Sequence, residues 1–440
     1  MKVCKFSGSA IGSVESMKKV AGLIADGTPR IVVLSATAGV TEQLERITAH
    51  LFNREQELAH DEITRLEFKF IDFVNELIKD ESIKKEAVNY TLGRFQSLWD
   101  FTKQTFVSAD EKEVLAQGEL ISSAIMSFYL KEQKADNALL SAFDFMRMGV
   151  DDEPDMAFIT ENLHKAMQLY PDAKLFITQG AICKNAYGET IYLKQGGSDY
   201  SATLMGAALQ AEEIEIWTDF NRMQNGDPCV VKGTQPVKQL SYEEAGHLAY
   251  FGTQLLQPQC IAPARLMNIP IRLMNPAEPA STGTLISNDC NSEVIKTVTT
   301  KDAIMFLKFE SNNTLRPYLF ISKIFEIFAK YRTPLCLLAS SNIGVSVATD
   351  NKNFLSNIIR ELKRYADILV EDRMTIVSVV GNMKWQYAGF EARIMGALKE
   401  VPLRMISYGS NSNDISLVIK AADKQKALQS LNDTLFARSR

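Results

Sequence analysis

Residues 188 to 219 constrain this chain more than any other stretch. They run Gly188-Glu189-Thr190-Ile191-Tyr192-Leu193-Lys194-Gln195-Gly196-Gly197-Ser198-Asp199-Tyr200-Ser201, then a helical pattern, then Ile214-Glu215-Ile216-Trp217-Thr218-Asp219. Paired glycines let the backbone turn sharply and lie close to a ligand. Ser198 and Asp199 are residue types that cap helix N-termini. Ala202, Leu204, Met205, Ala208 and Leu209 then recur at helical spacing. A glycine turn that opens a helix presents free N–H groups and the positive end of the helix dipole, which suits a phosphate. Read alone, Gly196-Gly197-Ser198-Asp199 serves equally well as an ordinary capped helix after a turn. Ile214, Ile216 and Trp217 predict a short strand ending at Thr218-Asp219.

Composition narrows the class. A length of 440 residues predicts two or three domains. Hydrophobic residues at 46% and charged residues at 23% describe a globular protein. The formal net charge of -5 leaves no basic footprint for nucleic acid. No apolar run reaches about 18 residues, so no membrane-spanning helix is expected. The start, Met1 to Phe6, lacks the apolar core of a signal peptide. The six cysteines (Cys4, Cys183, Cys229, Cys260, Cys290, Cys336) include no C-x-x-C pair, and none of the four histidines sits at metal-ligand spacing. Both facts argue against structural zinc or a disulfide framework. A reduced, cytoplasmic setting is expected.

Two further loops repeat the glycine-turn theme. Val3 to Phe6 read as a strand, Ser7-Gly8-Ser9-Ala10-Ile11-Gly12-Ser13 as a small-residue loop, and Val14 to Ile24 as a helix. That is the plan of a phosphate cradle, though no Gly-Lys-Ser/Thr ends the loop as in a Walker A motif. An ordinary strand–helix turn fits the same residues. Ile31 to Leu34 form a continuous apolar run, as in a buried parallel strand, and Ser35-Ala36-Thr37-Ala38-Gly39-Val40-Thr41 follow. Two such loops at strand ends predict ligands above the edge of an open α/β sheet.

From Glu42 to about Ser108, apolar residues at helical spacing predict several helices, with Phe68, Phe70, Phe73 and Phe95 in the core. Gln117-Gly118-Glu119-Leu120-Ile121-Ser122 breaks that pattern. Read alone, Glu119 suits a helix start, where the dipole favours a carboxylate. Beyond residue 292 the chain repeats itself. A helix through Ile324 to Tyr331, Pro334 to Leu338, a Ser/Asn turn and Gly344 to Val347 are matched by Ile394 to Val401, Pro402 to Ile406, a second such turn and Ile415 to Val418. Pro334 and Pro402 stand 68 positions apart, 402 less 334. This spacing predicts two ferredoxin-like βαββαβ units.

Taken together, these segments resemble the aspartokinases, members of the amino-acid kinase family. That family typically carries Lys-Phe-Gly-Gly-Thr-Ser-Val, where this chain has Lys5-Phe6-Ser7-Gly8-Ser9-Ala10-Ile11. Its Val-Val-Ser-Ala-Met-Ala-Gly-Val-Thr is similar to Val33 through Thr41. Its Gly-Glu motif stands at Gly118-Glu119, its Thr-Gln-Gly at Thr178-Gln179-Gly180, and its Gly-Gly-Ser-Asp-Tyr and Trp-Thr-Asp within the opening stretch. Asp227-Pro228 and Phe251-Gly252-Thr253-Gln254 resemble its nucleotide segments. The repeat looks like its tandem ACT domains, which sense amino acids.

The resemblance implies a three-layer α/β kinase domain of the carbamate-kinase-like type with a mostly parallel sheet over residues 1–288, with a helical insertion at about 42–115. Two ferredoxin-like ACT domains would follow over 289–440. It implies phosphorylation of L-aspartate by ATP with Mg²⁺, the first step of aspartate-family amino-acid biosynthesis. Lys5 and Asp199 would be catalytic, with Ser35, Glu119, Gln195, Gly197 and Ser198 on aspartate. Ser7, Gly8, Ser9, Thr218, Asp219, Asp227 and Gln254 would line the nucleotide, with no metal ligand from the protein. An amino-acid effector would meet Leu319, Phe320, Cys336, Ser341 and Asn342, and a homodimer or larger assembly would form through the ACT half.

Several positions depart from the family. Ser7 replaces a glycine, Gln195 an arginine that binds a substrate carboxylate, Arg222 a turn glycine, Cys229 an arginine and Gln254 a lysine. Three cations are thereby lost near two anionic ligands, unless Arg222, Lys194 or Lys184 compensates. Cys336 and Asn342 replace the carboxylates of lysine-sensing members, which predicts poor lysine binding. These departures keep two alternatives open: a weakly active or non-catalytic regulatory paralogue, and a kinase for another acidic substrate.

Overall fold

A computed structural model describes the chain apart from residues 195, 220–222, 252–255, 289–292, 313–314, 342 and 437–440. Two compact units emerge. One comprises Met1–Arg222 with Leu256–Asn288, the other Met223–Leu255 with Asp289–Arg440.

The first unit is built on the strand Lys2–Phe6. It pairs in parallel with Arg30–Leu34 on one side and Ile214–Trp217 on the other. Leu175–Gln179 and then Asn137–Leu139 extend the sheet beyond Arg30–Leu34, all parallel. Ile271–Met274 extends it beyond Ile214–Trp217 in parallel, and Thr284–Ile286 adds to that in antiparallel. Arg30–Leu34 and Leu175–Gln179 are buried at every position, which their continuous apolar runs require. The mostly parallel α/β sheet is thus as the sequence predicts.

Helices cover this sheet. Val14–Ile24 starts at Ser13, whose hydroxyl accepts from the Ser16 N–H. Val40–Phe52, Gln56–Leu77, Glu81–Phe101 and Ser108–Glu132 follow. In Gln56–Leu77 the buried set Ile63, Leu66, Phe70, Val74 and Leu77 recurs every three or four residues. Two expectations need correction here. Phe70 and Phe95 are core residues and Phe73 packs against them, but Phe68 points out and is 65% exposed, because it falls opposite the buried stripe. Glu119 does not begin a helix. It lies midway along Ser108–Glu132, buried on a helix whose central positions from Val114 to Met126 are all buried, so no helix dipole acts on it.

In the second unit two long antiparallel strands, Thr297–Ser311 and Ala366–Val380, run side by side with a bulge near Lys301 to Phe306. Gly344–Thr349 and then Leu337–Ser340 flank the later half of the first strand. Asp414–Lys420 and then Met405–Ser407 flank the later half of the second. One six-stranded sheet results, holding two ferredoxin-like halves that interlock: Thr297–Lys301 serves as the last strand of the second repeat although it precedes the first. Each repeat has its own core under its helices. Lys296 and Glu244, both fully buried, form an ion pair at 2.8 Å that ties the helix Tyr242–Tyr250 into this unit. The side chain of Phe320 lies in the first repeat's core with Phe309 and Phe328, which leaves only its backbone for an effector. Leu319 and Ser341 are exposed, and Cys336 is partly buried. Asn342 falls outside the described residues.

Among the described residues no helix is long and apolar enough to cross a membrane. The described cysteines are free thiols.

Candidate active site

Strand-type hydrogen bonds run on past the strand ends and bring three loops together. Ser7 N–H donates to the Trp217 carbonyl (3.0 Å), Ser35 N–H to that of Phe6 (3.3 Å) and Gly180 N–H to that of Leu34 (2.9 Å). Phe6 and Trp217 stack at 5.5 Å, fixing the two strands beneath. Glycine is required where the loops meet. A Cβ on Gly8 would stand 2.2 Å from the Ala36 carbonyl oxygen, and one on Gly180 would stand 2.4 Å from Ser198 Cβ. Gly196 takes a left-handed φ of 78° and starts the helix Gly197–Ala208.

Above these loops lies a cavity of about 720 Å³. Its wall includes Lys5, Gly8, Ser35, Glu119, Gly197, Ser198 and Asp199, so seven of the residues singled out in the sequence come together. Lys5, largely buried, is held by Asp199 at 2.6 Å. Glu119 is buried on the helix Ser108–Glu132 and lines the same cavity. Tyr192 donates to its Oε1 at 3.0 Å, while its Oε2 has no hydrogen-bond partner. Burial pushes its carboxyl up to about 8, and the Tyr192 hydrogen bond offsets only part of that. Ser122 donates to the Ser35 carbonyl at 2.8 Å, tying that loop to the Glu119 helix.

The remaining candidates are placed as follows. Ser7 and Ser9 share a hydrogen bond of 2.9 Å in the first loop. Thr218 N–H donates to the Met274 carbonyl at 2.9 Å, and Asp219 follows it at the same sheet edge. Asp227 belongs to the second unit, where its carboxylate accepts from the Cys229 N–H in a local turn. Gln195, Gln254 and Arg222 lie outside the described residues. Of the compensating cations, Lys194 lines the cavity. Lys184 is committed elsewhere, donating to Thr190 at 2.8 Å and lying 4.6 Å from the Phe143 ring centre.

Tyr192, Ser122 and the acidic wall residues Glu42, Glu45 and Glu111 were not legible as site residues. Tyr192 reaches Glu119 only because Thr190–Tyr192 pairs with Ile182–Lys184 in a small hairpin, a non-local placement that residue spacing does not encode.

A parallel sheet edge with glycine loops, an ion-paired lysine and a carboxylate awaiting a partner belongs to an α/β enzyme that binds small charged ligands. Residues 1–275 match the amino acid kinase family, and residues 377–435 match the ACT domain. The chain belongs to the amino acid kinase family. It is 28% identical to the lysine-sensitive aspartokinase 3 of Escherichia coli (strain K12), over 99% of each chain, and 26% identical to an aspartokinase of Chlamydia trachomatis, over 99% of this chain and 98% of that one. The crystal structure of E. coli aspartokinase III in complex with aspartate and ADP superimposes with a TM-score of 0.81 at 26% identity, covering 99% of this chain and 100% of that one.

Proposed function

We propose that this protein is an aspartate kinase, transferring the γ-phosphoryl group of ATP to the side-chain carboxylate of L-aspartate to give ADP and 4-phospho-L-aspartate. The observation that carries the reading is the single cavity lined by both the Lys5–Asp199 ion pair and Glu119, one of whose oxygens is unpartnered. An ammonium group suits Glu119, and a phosphoryl group suits Lys5. Full-length similarity to aspartokinases supports the same substrate.

In this reading a carboxylate oxygen of aspartate attacks the γ-phosphorus, the bond to the ADP oxygen breaks, and no bond to the enzyme forms. The protein positions the reactants and stabilises charge. Lys5, oriented by Asp199, meets the equatorial phosphoryl oxygens. Gly8, Ser9 and the N–H groups opening the Gly197–Ala208 helix cradle phosphate. Glu119 takes the amino group, with Ser35 and Ser198 beside it. Thr218 and Asp219 line the nucleotide. Mg²⁺ would arrive on the nucleotide and neutralise phosphate charge. Residues 1–288, apart from 223–255, which belong to the second unit, form the catalytic region, and 289–440 the tandem ACT region, which joins subunits and binds lysine poorly.

One observation favours a second reading, a regulatory paralogue of low activity. The cavity wall carries Glu42, Glu45 and Glu111 beside Glu119 and Asp199, against only Lys5 and Lys194 among its cations. Purified protein with ATP, Mg²⁺ and a panel of amino acids separates the two. ADP release that depends on L-aspartate at ordinary enzyme rates supports the kinase, and release no faster with aspartate than without it rejects it.

A further inference from the structure

The geometry points to Tyr192 as a positioning residue that holds Glu119 for the substrate amino group; this rests on the aspartate kinase reading. Three observations carry it. Tyr192 lines the cavity and donates to Glu119 Oε1 at 3.0 Å. That leaves Oε2 as the unpartnered oxygen. Tyr192 is itself anchored, because Thr190–Tyr192 pairs with Ile182–Lys184 and the Leu193 N–H donates to the Ala181 carbonyl at 2.7 Å.

A buried carboxyl with two free oxygens rotates and takes up a proton. Fixing one oxygen with a phenol stops the rotation and favours the ionised form, which an ammonium needs. The groups around the pair come from every neighbouring element. Thr41 and Glu45 of the Val40–Phe52 helix act on Tyr192, and the Ala36 N–H acts on Glu119. Lys5, Glu42, Glu111, Lys194 and Asp199 line the same cavity. Among the described residues Tyr192 is the side chain that hydrogen-bonds Glu119, and so the one that orients it.

The test compares Tyr192→Phe in the wild-type and Glu119→Gln backgrounds, following KM for aspartate and kcat against pH. Loss of one hydrogen bond to a charged group raises KM about tenfold and moves the pH at which KM improves upward. The kcat at saturating aspartate changes little. In the Glu119→Gln background the same substitution has no further effect on KM, because the amide does not ionise. An equal loss in both backgrounds, or an unmoved pH profile, overturns the inference and makes Tyr192 a packing residue. A wild-type protein that ignores aspartate instead overturns the functional reading. In that case titration of ¹³C-labelled glutamate carboxyls, with Glu119→Gln to assign the signal, still decides the Tyr192 contact: the Glu119 signal should titrate at higher pH in Tyr192→Phe, and an unchanged titration overturns it.

Discussion

Burial changes the chemistry of Glu119. Its carboxyl, ordinarily near 4.5, is pushed up to about 8 by burial, so the empty site holds it mainly protonated at pH 7. An ammonium beside it favours the ionised form, and aspartate binding should therefore release a proton below about pH 8. Calorimetry in buffers of different ionisation enthalpy measures this release, which should vanish in Glu119→Gln. The sign for stability follows from the same shift. A carboxyl with a raised folded value contributes stability below 4.5 that is lost as pH climbs through about 8. Glu119→Gln should thus gain on the wild type in the ligand-free protein as pH rises across that window, read by thermal melting. Charge sets a second residue-scale outcome. Gln195 is neutral where the aspartokinase resemblance implies an arginine on a substrate carboxylate, so Gln195→Arg should lower KM for aspartate by about one to two powers of ten, from a pair of roughly 1.5–3 kcal/mol. If Lys194 already fills that role, Gln195→Arg changes little and Lys194→Ala abolishes aspartate binding. Steady-state kinetics and binding of the two variants distinguish these cases. Lys5, Asp199 and Glu119 were legible as site residues through the resemblance of the motifs that carry them to those of the aspartokinases. Glu119's burial was not, since it depends on neighbouring helices and the sheet packing around Ser108–Glu132.

Close approach of loops governs the element scale. Gly8 sits where a Cβ would be 2.2 Å from the Ala36 carbonyl oxygen, a backbone atom with nowhere to retreat. Gly8→Ala should push the first loop from the second and cut kcat/KM for ATP by at least tenfold, with the circular dichroism spectrum unchanged. An active Gly8→Ala enzyme would mean that the loop is not a phosphate cradle. Helix and strand elements themselves were readable. The expected helix from Val14 to Ile24 is the observed one, because its apolar spacing and its Ser13 cap agree. The two long strands of the second unit were not readable. Thr297–Ser311 and Ala366–Val380 each change burial pattern midway, since each serves two repeats. The repeat spacing therefore revealed two units but hid their interlocking.

For the whole molecule, interlocking has a consequence. The second repeat needs Thr297–Lys301 to complete its sheet, so the regulatory half cannot be cut at the repeat boundary and stay folded. Its outer strands, Leu337–Ser340 and Met405–Ser407, carry the exposed apolar side chains Leu338 and Ile406, which suit burial against another chain. Light scattering should find a dimer or larger assembly at micromolar concentration, and a monomer there would reject the expected ACT-mediated association. The central claim concerns chemistry, and trapping tests it most directly. Purified protein is incubated with ATP, Mg²⁺ and L-aspartate in the presence of hydroxylamine, which converts an acyl phosphate to a coloured hydroxamate. The account predicts aspartyl hydroxamate forming in step with ADP, with the rate lost in Lys5→Met. ATP hydrolysis without hydroxamate, or no turnover at any aspartate concentration, would contradict it.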